Sequence, residues 1–340
     1  MKAYLRIAVL ASAVLSQAGL VRRAPEDTSA DSLALLAHAK QLQDLRAEGD
    51  SPFRLRAHIE VKVNKSETQG EYGLIWQAPN RWREEMKLGD FGRLRVGAGG
   101  GYWQERTIDY QPEIIFDLDE FIFAAEVLEV RPTETVDKPK SRKIDDITVS
   151  CVEIRGKRSL ERELCFDPAG GVLLHANFPE RALHGATVNK TVDFSDVQPF
   201  GDKQIVRNIR IERPGRYQMR ISFTSLAPTS EIDATAFAQP AHSEFWQGCG
   251  EGSSAEISSA KSPEYPAELR RNRQEGLVSV YARIEPDGFT SHLVTLNSAS
   301  PALERAARDA IRQWKYKVPA CGGPPARSET VIDIFFWIPR

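Results

Sequence analysis

Histidine is scarce in this 340-residue chain and lies scattered. The residues are His38, His58, His175, His184, His242 and His292, with no HExxH and no pair at a metal-ligand spacing. A G-x-S-x-G nucleophile turn, a P-loop and a dinucleotide-binding glycine fingerprint are also missing. The glycine run Gly97, Gly99, Gly100 and Gly101 holds no Lys, Ser or Thr, so it reads as a loose hairpin. Asp117, Asp119 and Glu120 are the nearest approach to a catalytic carboxylate pair. Asp117 and Glu120 would share a helix face, but so do solvated acids on many helices. No metal and no cofactor are expected, and an enzyme is the least favoured class. Charge of one sign is not in excess: 45 Lys and Arg face 47 Asp and Glu, for a net charge of −2. That balance points away from nucleic acid and from an acidic membrane surface.

Long apolar runs are missing after the first turn or two of sequence. Lys2 and Arg6 precede an apolar stretch over 7–15, and small residues follow at Ser16 and Ala18. This is the layout of a secretory signal peptide, residues 1–18, with cleavage after Ala18. The alternative is an uncleaved inner-membrane anchor, for which the stretch is short of the ~20 residues a span needs. Export permits disulfides, and there are only four cysteines: Cys151, Cys165, Cys249 and Cys321. Cys151 and Cys165 lie on two strand-like runs joined by a short polar turn, which suits a cross-strand pair and leaves Cys249 with Cys321. A tetrathiolate zinc site is the rival, disfavoured because no CxxC occurs.

The hydrophobic pattern changes period along the chain. Leu33, Leu36, Leu42 and Leu45 suggest a helix over 32–47. From Phe53 the period is two, with Phe53, Leu55, Ala57, Ile59, Val61 and Val63 alternating with polar residues. Further strands are expected over 69–77, 81–88, 93–96, 102–105, 147–154, 163–166, 172–178, 191–197, 205–212 and 217–226. An amphipathic helix is expected over 113–129. Residues 228–261 turn rich in Ser, Ala, Gly and Pro and read as a linker carrying Trp246 and Cys249. After them come a strand over 277–284, an Asp287–Gly288 turn, a strand over 289–298, a helix over 301–317 with Leu303, Ala307, Ile311 and Trp314 on one face, and a strand over 328–338. The fold class is α+β: an antiparallel sheet domain over 30–227 covered by helices, then a small ββαβ module over 262–340.

Two families are resembled. Tyr265–Pro266, Arg270, Glu275–Gly276, Pro286–Asp287–Gly288, the run Ala306–Ala307 to Trp314–Lys315–Tyr316 and Gly322–Gly323 occur in the order of the TonB C-terminal domain. The module resembles that domain along its whole length. The larger domain is similar, more weakly, to the periplasmic LolA/LolB lipoprotein carriers. Residues 53–63, the strand Gly70 to Trp76, and Pro79–Asn80–Arg81–Trp82–Arg83 match the opening of their half-barrel.

These resemblances imply a periplasmic protein. The TonB family uses its last strand to receive a short segment of outer-membrane receptors by β-strand addition. Carried over, this places Glu329, Thr330, Val331, Ile332, Asp333, Ile334, Phe335 and Phe336 at a partner-binding edge, with Tyr265 and Pro266 beside it. The alternative reading, of equal weight, is that Tyr265 and Pro266 only set the turn into the module and pack its helix. The expected partner is a segment of an outer-membrane receptor or another envelope protein, in a role linked to outer-membrane transport. The alternative is carriage of lipid or lipoprotein acyl chains in a hydrophobic cavity lined by Leu55, Ile59, Leu74, Trp76, Trp82 and Met86. Full energy transduction is the less expected role, because the family's anchor carries a His and is followed by a Pro-rich spacer, and residues 7–21 hold no His and no such spacer follows.

Overall fold

The computed structural model describes residues 28–156, 161–182, 184, 186–247, 255–320 and 325–338. The expected signal peptide and the Cys249–Cys321 pair lie outside the described residues. Helix α1 (Thr28–Gln43) leads into a run of antiparallel strands: β1 (Phe53–Val63), β2 (Ser66–Ala78), β3 (Arg81–Leu88), β4 (Phe91–Ala98) and β5 (Gly101–Arg106). Helix α2 (Glu113–Phe121) and a 3-10 turn (Ala124–Leu128) follow. Then come β6 (Glu134–Val136), β7 (Lys140–Ile144), β8 (Ile147–Gly156), β9 (Arg162–Phe166), β10 (Leu173–Arg181), β11 (Thr187–Phe200), β12 (Lys203–Arg213) and β13 (Tyr217–Pro228). With β14 (Glu244–Gln247) these build one 14-stranded antiparallel sheet in the order β14-β5-β4-β3-β2-β1-β13-β12-β11-β10-β9-β8-β6, with β7 also on β8.

Alternation decides the faces. In β1 the side chains Phe53, Leu55, Ala57, Ile59 and Val61 are all buried and the residues between them are not. The same apolar face continues through Met219 and Ile221 on β13 and Ile209 and Ile211 on β12. Helix α1, helix α2 and the 3-10 turn lie on it, supplying Leu36, Ile115, Leu118, Phe121, Val127 and Leu128 to one core. Each large apolar side chain taken from water there contributes roughly 1.5–3 kcal/mol. The helix expected over 113–129 is therefore two shorter pieces. Phe123 is extended (φ −116, ψ 109), and the chain bends there so that Phe121, Phe123 and Val127 all reach the core.

Gly97, in the expected hairpin, is needed for a packing reason: a Cβ there would stand 2.5 Å from the Trp82 indole nitrogen. The disulfide between Cys151 and Cys165 is present, joining paired residues of β8 and β9. Neither sulfur is thus free to be a zinc thiolate.

The segment expected as a linker is structured. Residues Ala234–Phe237 form a 3-10 turn, β14 adds to the edge of the large sheet, and β15 (Glu256–Ser259) pairs with β18 (Lys315–Lys317) of the C-terminal module. The module also holds α3 (Ala267–Arg271), β16 (Gly276–Ile284), β17 (Thr290–Ser298), α4 (Pro301–Ile311) and β19 (Ser328–Phe336). Its three-stranded sheet has the order β17-β16-β19. Ser300 caps α4 by accepting from the Leu303 N–H, with Pro301 in the first turn. The helix stops at Ile311, short of the expected 317. Tyr316 is buried between exposed Lys315 and Lys317, a period of two, and its N–H donates to the Gly288 carbonyl. Gly288 has φ +83, and a Cβ there would meet the Tyr316 carbonyl oxygen at 2.3 Å, so the expected Asp287–Gly288 turn requires its glycine.

Candidate functional site

The strand β19 is an edge. It pairs with β16 along its length, from Ser328 opposite Ile284 to Phe336 opposite Gly276, and no described strand lies on its other side. In an antiparallel pair alternate residues turn both N–H and C=O away from the partner, so β19 offers a row of unpaired backbone groups.

Its side chains divide between two surfaces. Ile332, Ile334 and Phe336 join Val278, Val280 and Ala282 under α4 in the module core. Glu329, Asp333 and Phe335 turn the other way, toward the sheet domain. Of the ten residues expected at the partner-binding edge, these side chains are thus divided between core and interdomain surface, and the shared feature is the backbone edge. The Tyr265 ring stands edge-on to Phe336 at 5.5 Å, and its hydroxyl donates to the Gln274 carbonyl. Pro266 precedes α3 as its N-cap residue. Trp314 lies in the core and donates its indole N–H to the Lys261 carbonyl.

Ion pairs close the module onto the sheet domain. Arg106, at the end of β5, donates to both carboxylate oxygens of Glu329 at 2.9 and 3.0 Å, and both side chains are over nine-tenths buried. The Tyr281 hydroxyl donates to the same carboxylate. Burial, with that carboxylate close by, pushes the Tyr281 hydroxyl well above its ordinary pKa. Arg216 joins Glu113 of α2 to Asp333, which also accepts from the Ser279 hydroxyl. Trp246 of β14 is buried among three guanidiniums: Arg106, Arg283 and Arg327 stand 5.8, 5.6 and 5.5 Å from its ring centroid. The first belongs to the sheet domain and the other two to the module, so Trp246 pins both.

Helix α2 is the anchor beneath. Its acids are all paired: Asp117 is buried and Asp119 half-buried, while Glu120 keeps an exposed side chain. Arg93 holds Asp119 at 2.5 Å and Glu84 at 2.7 Å, with no exposed side-chain surface of its own. Burial would raise the Asp119 carboxyl, but the Arg93 and Arg95 guanidiniums outweigh it and hold the pKa below the usual carboxylate range. Lys190 reaches Asp117 at 3.0 Å and Glu120 at 3.4 Å, and the Tyr217 hydroxyl donates to Asp117. Partial desolvation at the protein surface, with the Asp117 carboxylate close by, raises the Glu120 carboxyl despite Lys190. None of Arg93, Lys190 and Arg213 was singled out from the sequence. A charge within an otherwise apolar strand face marks Lys190, between Val188 and Val192, whereas Arg93 shares its face with Arg95 and carries no such mark.

The residues expected to line a hydrophobic cavity are also placed. Leu55, Ile59, Leu74, Trp76 and Met86 are buried in the large core, and Trp82 is packed partly buried against it. Leu55, Leu74 and Met86 also border an open cleft of about 870 Å³ along β1 to β5, together with charged residues such as Arg54, Glu71 and Arg83, and two further open clefts lie between the domains. One of about 600 Å³ is bordered by Phe335, Leu277 and Leu296 of the module and by Pro112, Ile114 and Pro214. A smaller one of about 270 Å³ lies at the other end of β19, beside Ser328, Glu329, Tyr102 and Trp246.

Residues 261–338 match the Gram-negative bacterial TonB protein C-terminal family. The TonB-type module is 38% identical over 82 residues to Protein TonB of Escherichia coli K12, covering 24% of this chain and 32% of that protein. The chain thus spans about a third of the curated relative it matches. The solution structure of the Pseudomonas aeruginosa TonB C-terminal domain is 27% identical, covering 27% of this chain and 95% of that one, with a TM-score of 0.24. A LolA-superfamily protein of Nitrosomonas europaea is 13% identical, covering 60% of this chain and 96% of that one, with a TM-score of 0.42. At that likeness no ligand passes from it to this chain. No helix among the described residues is long and apolar enough to cross a membrane.

Proposed function

We propose that this is a periplasmic protein-interaction protein whose TonB-type module takes an extended segment of an envelope protein by β-strand addition to β19. The observation that carries the reading is the unpaired edge of β19, in a module that matches the TonB C-terminal family. Main-chain hydrogen bonds supply the affinity in this mode, and alternate side chains supply the choice of partner. The sheet domain supports the module through Arg106, Arg216 and Trp246.

Titration of the full chain with peptides of the short outer-membrane-receptor segment that the family receives, followed by calorimetry, tests the reading. The variants Thr330→Pro and Val331→Pro sharpen it. Neighbouring residues of β19 point their N–H groups in opposite directions, so only one of the two faces the free edge. Proline at that position keeps the ladder to β16 and abolishes peptide binding; proline at the other breaks the ladder and destabilises the module. Peptide binding that survives the proline variant that keeps the ladder to β16 and the fold, or none to the unaltered chain, sinks the proposal.

Acyl-chain carriage is the second reading, and the packing does not favour it. The apolar face of the large sheet is occupied by α1, α2 and the 3-10 turn, so an acyl chain there would have to displace them.

A further inference from the structure

Ion pairs of two kinds join the module to the sheet domain. Arg106–Glu329, Arg216–Asp333 and Arg327–Glu244 keep their charges throughout the neutral range, because a guanidinium does not give up its proton. The others depend on histidine. His184, between β10 and β11, has its Nε2 3.0 Å from Glu275 at the entry to β16. His292 of β17 has its Nε2 3.2 Å from Asp109, between β5 and α2. The imidazole comes from the sheet domain in one pair and from the module in the other. Both histidines have a left-handed backbone, with φ +60 and +46. A residue other than glycine persists there only where its surroundings hold it. At His292 the ladder between β16 and β17 carries an extra residue on β17, a bulge of the kind that re-aims a side chain. The His292 Nε2 is closed to water and makes no aligned hydrogen bond. Tyr281 stands edge-on to that ring at 6.0 Å, its hydroxyl already given to Glu329. The Arg106 and Arg283 guanidiniums reach the Asp109 carbonyl at 3.2 and 3.5 Å, and as like charges they moderate what a charged His292 gains. Glu275 also accepts the Ile338 N–H, and Tyr265 is the other titratable group beside it.

We propose that His184 and His292 make the docking of the module on the sheet domain pH-sensitive, clamping it when they are protonated and loosening it when they are neutral. Histidine changes charge between about pH 5 and 8. An imidazolium attracts the carboxylate that faces it, and a neutral ring offers no net charge. The contribution is therefore present in mild acid and lost as pH rises. It fades again near pH ~4, where carboxylates take up protons. Glu329 and Asp333 of β19 lie in the same interface, so the clamp sets how firmly one face of that strand is backed. The inference holds whatever β19 binds.

Urea titrations of the full chain at about pH 5.5 and about pH 8 test this, with X-ray scattering reading the opening of the two domains and circular dichroism reading unfolding. The comparison chain is His184→Asn/His292→Asn, because asparagine tolerates a left-handed backbone. Partly exposed ion pairs are weak, so each is expected to shift the opening equilibrium roughly three-fold. Measured against the comparison chain, the unaltered chain is expected to open about 10-fold less readily at the lower pH than at the higher, close to 1.4 kcal/mol. Asp109→Asn/Glu275→Gln removes the same dependence from the acid side, and takes the place of the histidine variant if that chain does not fold. A gap between unaltered and comparison chains that is the same at both pH values overturns the proposal. So does a pH dependence of opening that the histidine variant keeps in full. A histidine-dependent shift in the circular dichroism transition with none in the scattering also overturns it, because the histidines would then steady the fold without governing the docking.

Discussion

Arg93 has no exposed side-chain surface and stays charged because Asp119 and Glu84 close on it. Burial disfavours that charge, and the two carboxylates more than restore it, raising the guanidinium pKa. Removing one member of such a group leaves an uncompensated buried charge, which typically costs about 3–5 kcal/mol. Arg93→Ala is therefore expected to lower unfolding stability by about that amount in urea titrations. Arg210→Ala, which breaks an exposed pair with Glu212, should cost no more than about 1 kcal/mol. The pH dependence has a definite sign. Asp119 has a lowered pKa in the fold, so its contribution is present above the unfolded value of about 4 and is lost as pH falls through the lower folded value. Glu120 is raised and works in the opposite sense, favouring the fold as it protonates. Acidification should thus cost the unaltered chain more stability than it costs Asp119→Asn, measured by thermal melts at successive pH values.

At the scale of elements, most of the strands were legible because a half-buried strand must alternate. β1 and β3 have the bounds that the period of two predicted, and the neighbouring strands extend a few residues further. Helix ends were less legible. The apolar face of α4 continues in sequence through Trp314, but Lys315–Lys317 gains a strand partner in Glu256–Ser259, and that pairing outweighs another helical turn. The partner lies in the segment whose Ser, Gly and Pro content suggested a linker, so composition alone could not reveal it. The disulfide was legible because two strand patterns around one short turn put Cys151 opposite Cys165. It joins residues 14 apart in sequence, for which chain-entropy arguments give about 3 kcal/mol. A Cys151→Ser/Cys165→Ser chain should lose about 2–3 kcal/mol in denaturant unfolding without losing the large sheet's circular dichroism signal.

For the whole molecule, the decisive feature is that the module presses the face of its sheet opposite α4 against the first domain. Arg106–Glu329, Arg216–Asp333 and the Trp246 cluster hold that contact. An Arg106→Ala/Arg216→Ala chain leaves both acids of β19 unpaired. It is expected to release the module, seen as a larger radius of gyration in X-ray scattering and a separate unfolding transition in calorimetry. A single unchanged transition and radius would show that the ion pairs do not hold the domains together.

The sequence by itself determined most of the strands, the Asp287–Gly288 turn and the TonB-type motif order, and it favoured the Cys151–Cys165 pair without excluding the other pairings. Each of these follows from local rules: a period of two, a positive φ, or a motif order within about eighty residues. Only the tertiary structure decided what the acids of α2 and the charges on the strand faces do. Asp119 meets Arg93 across 26 positions, Asp117 meets Lys190 across 73 and Glu329 meets Arg106 across 223. No local pattern encodes such pairings, because a charge is tolerable in the interior only once the fold has brought its counter-charge to it.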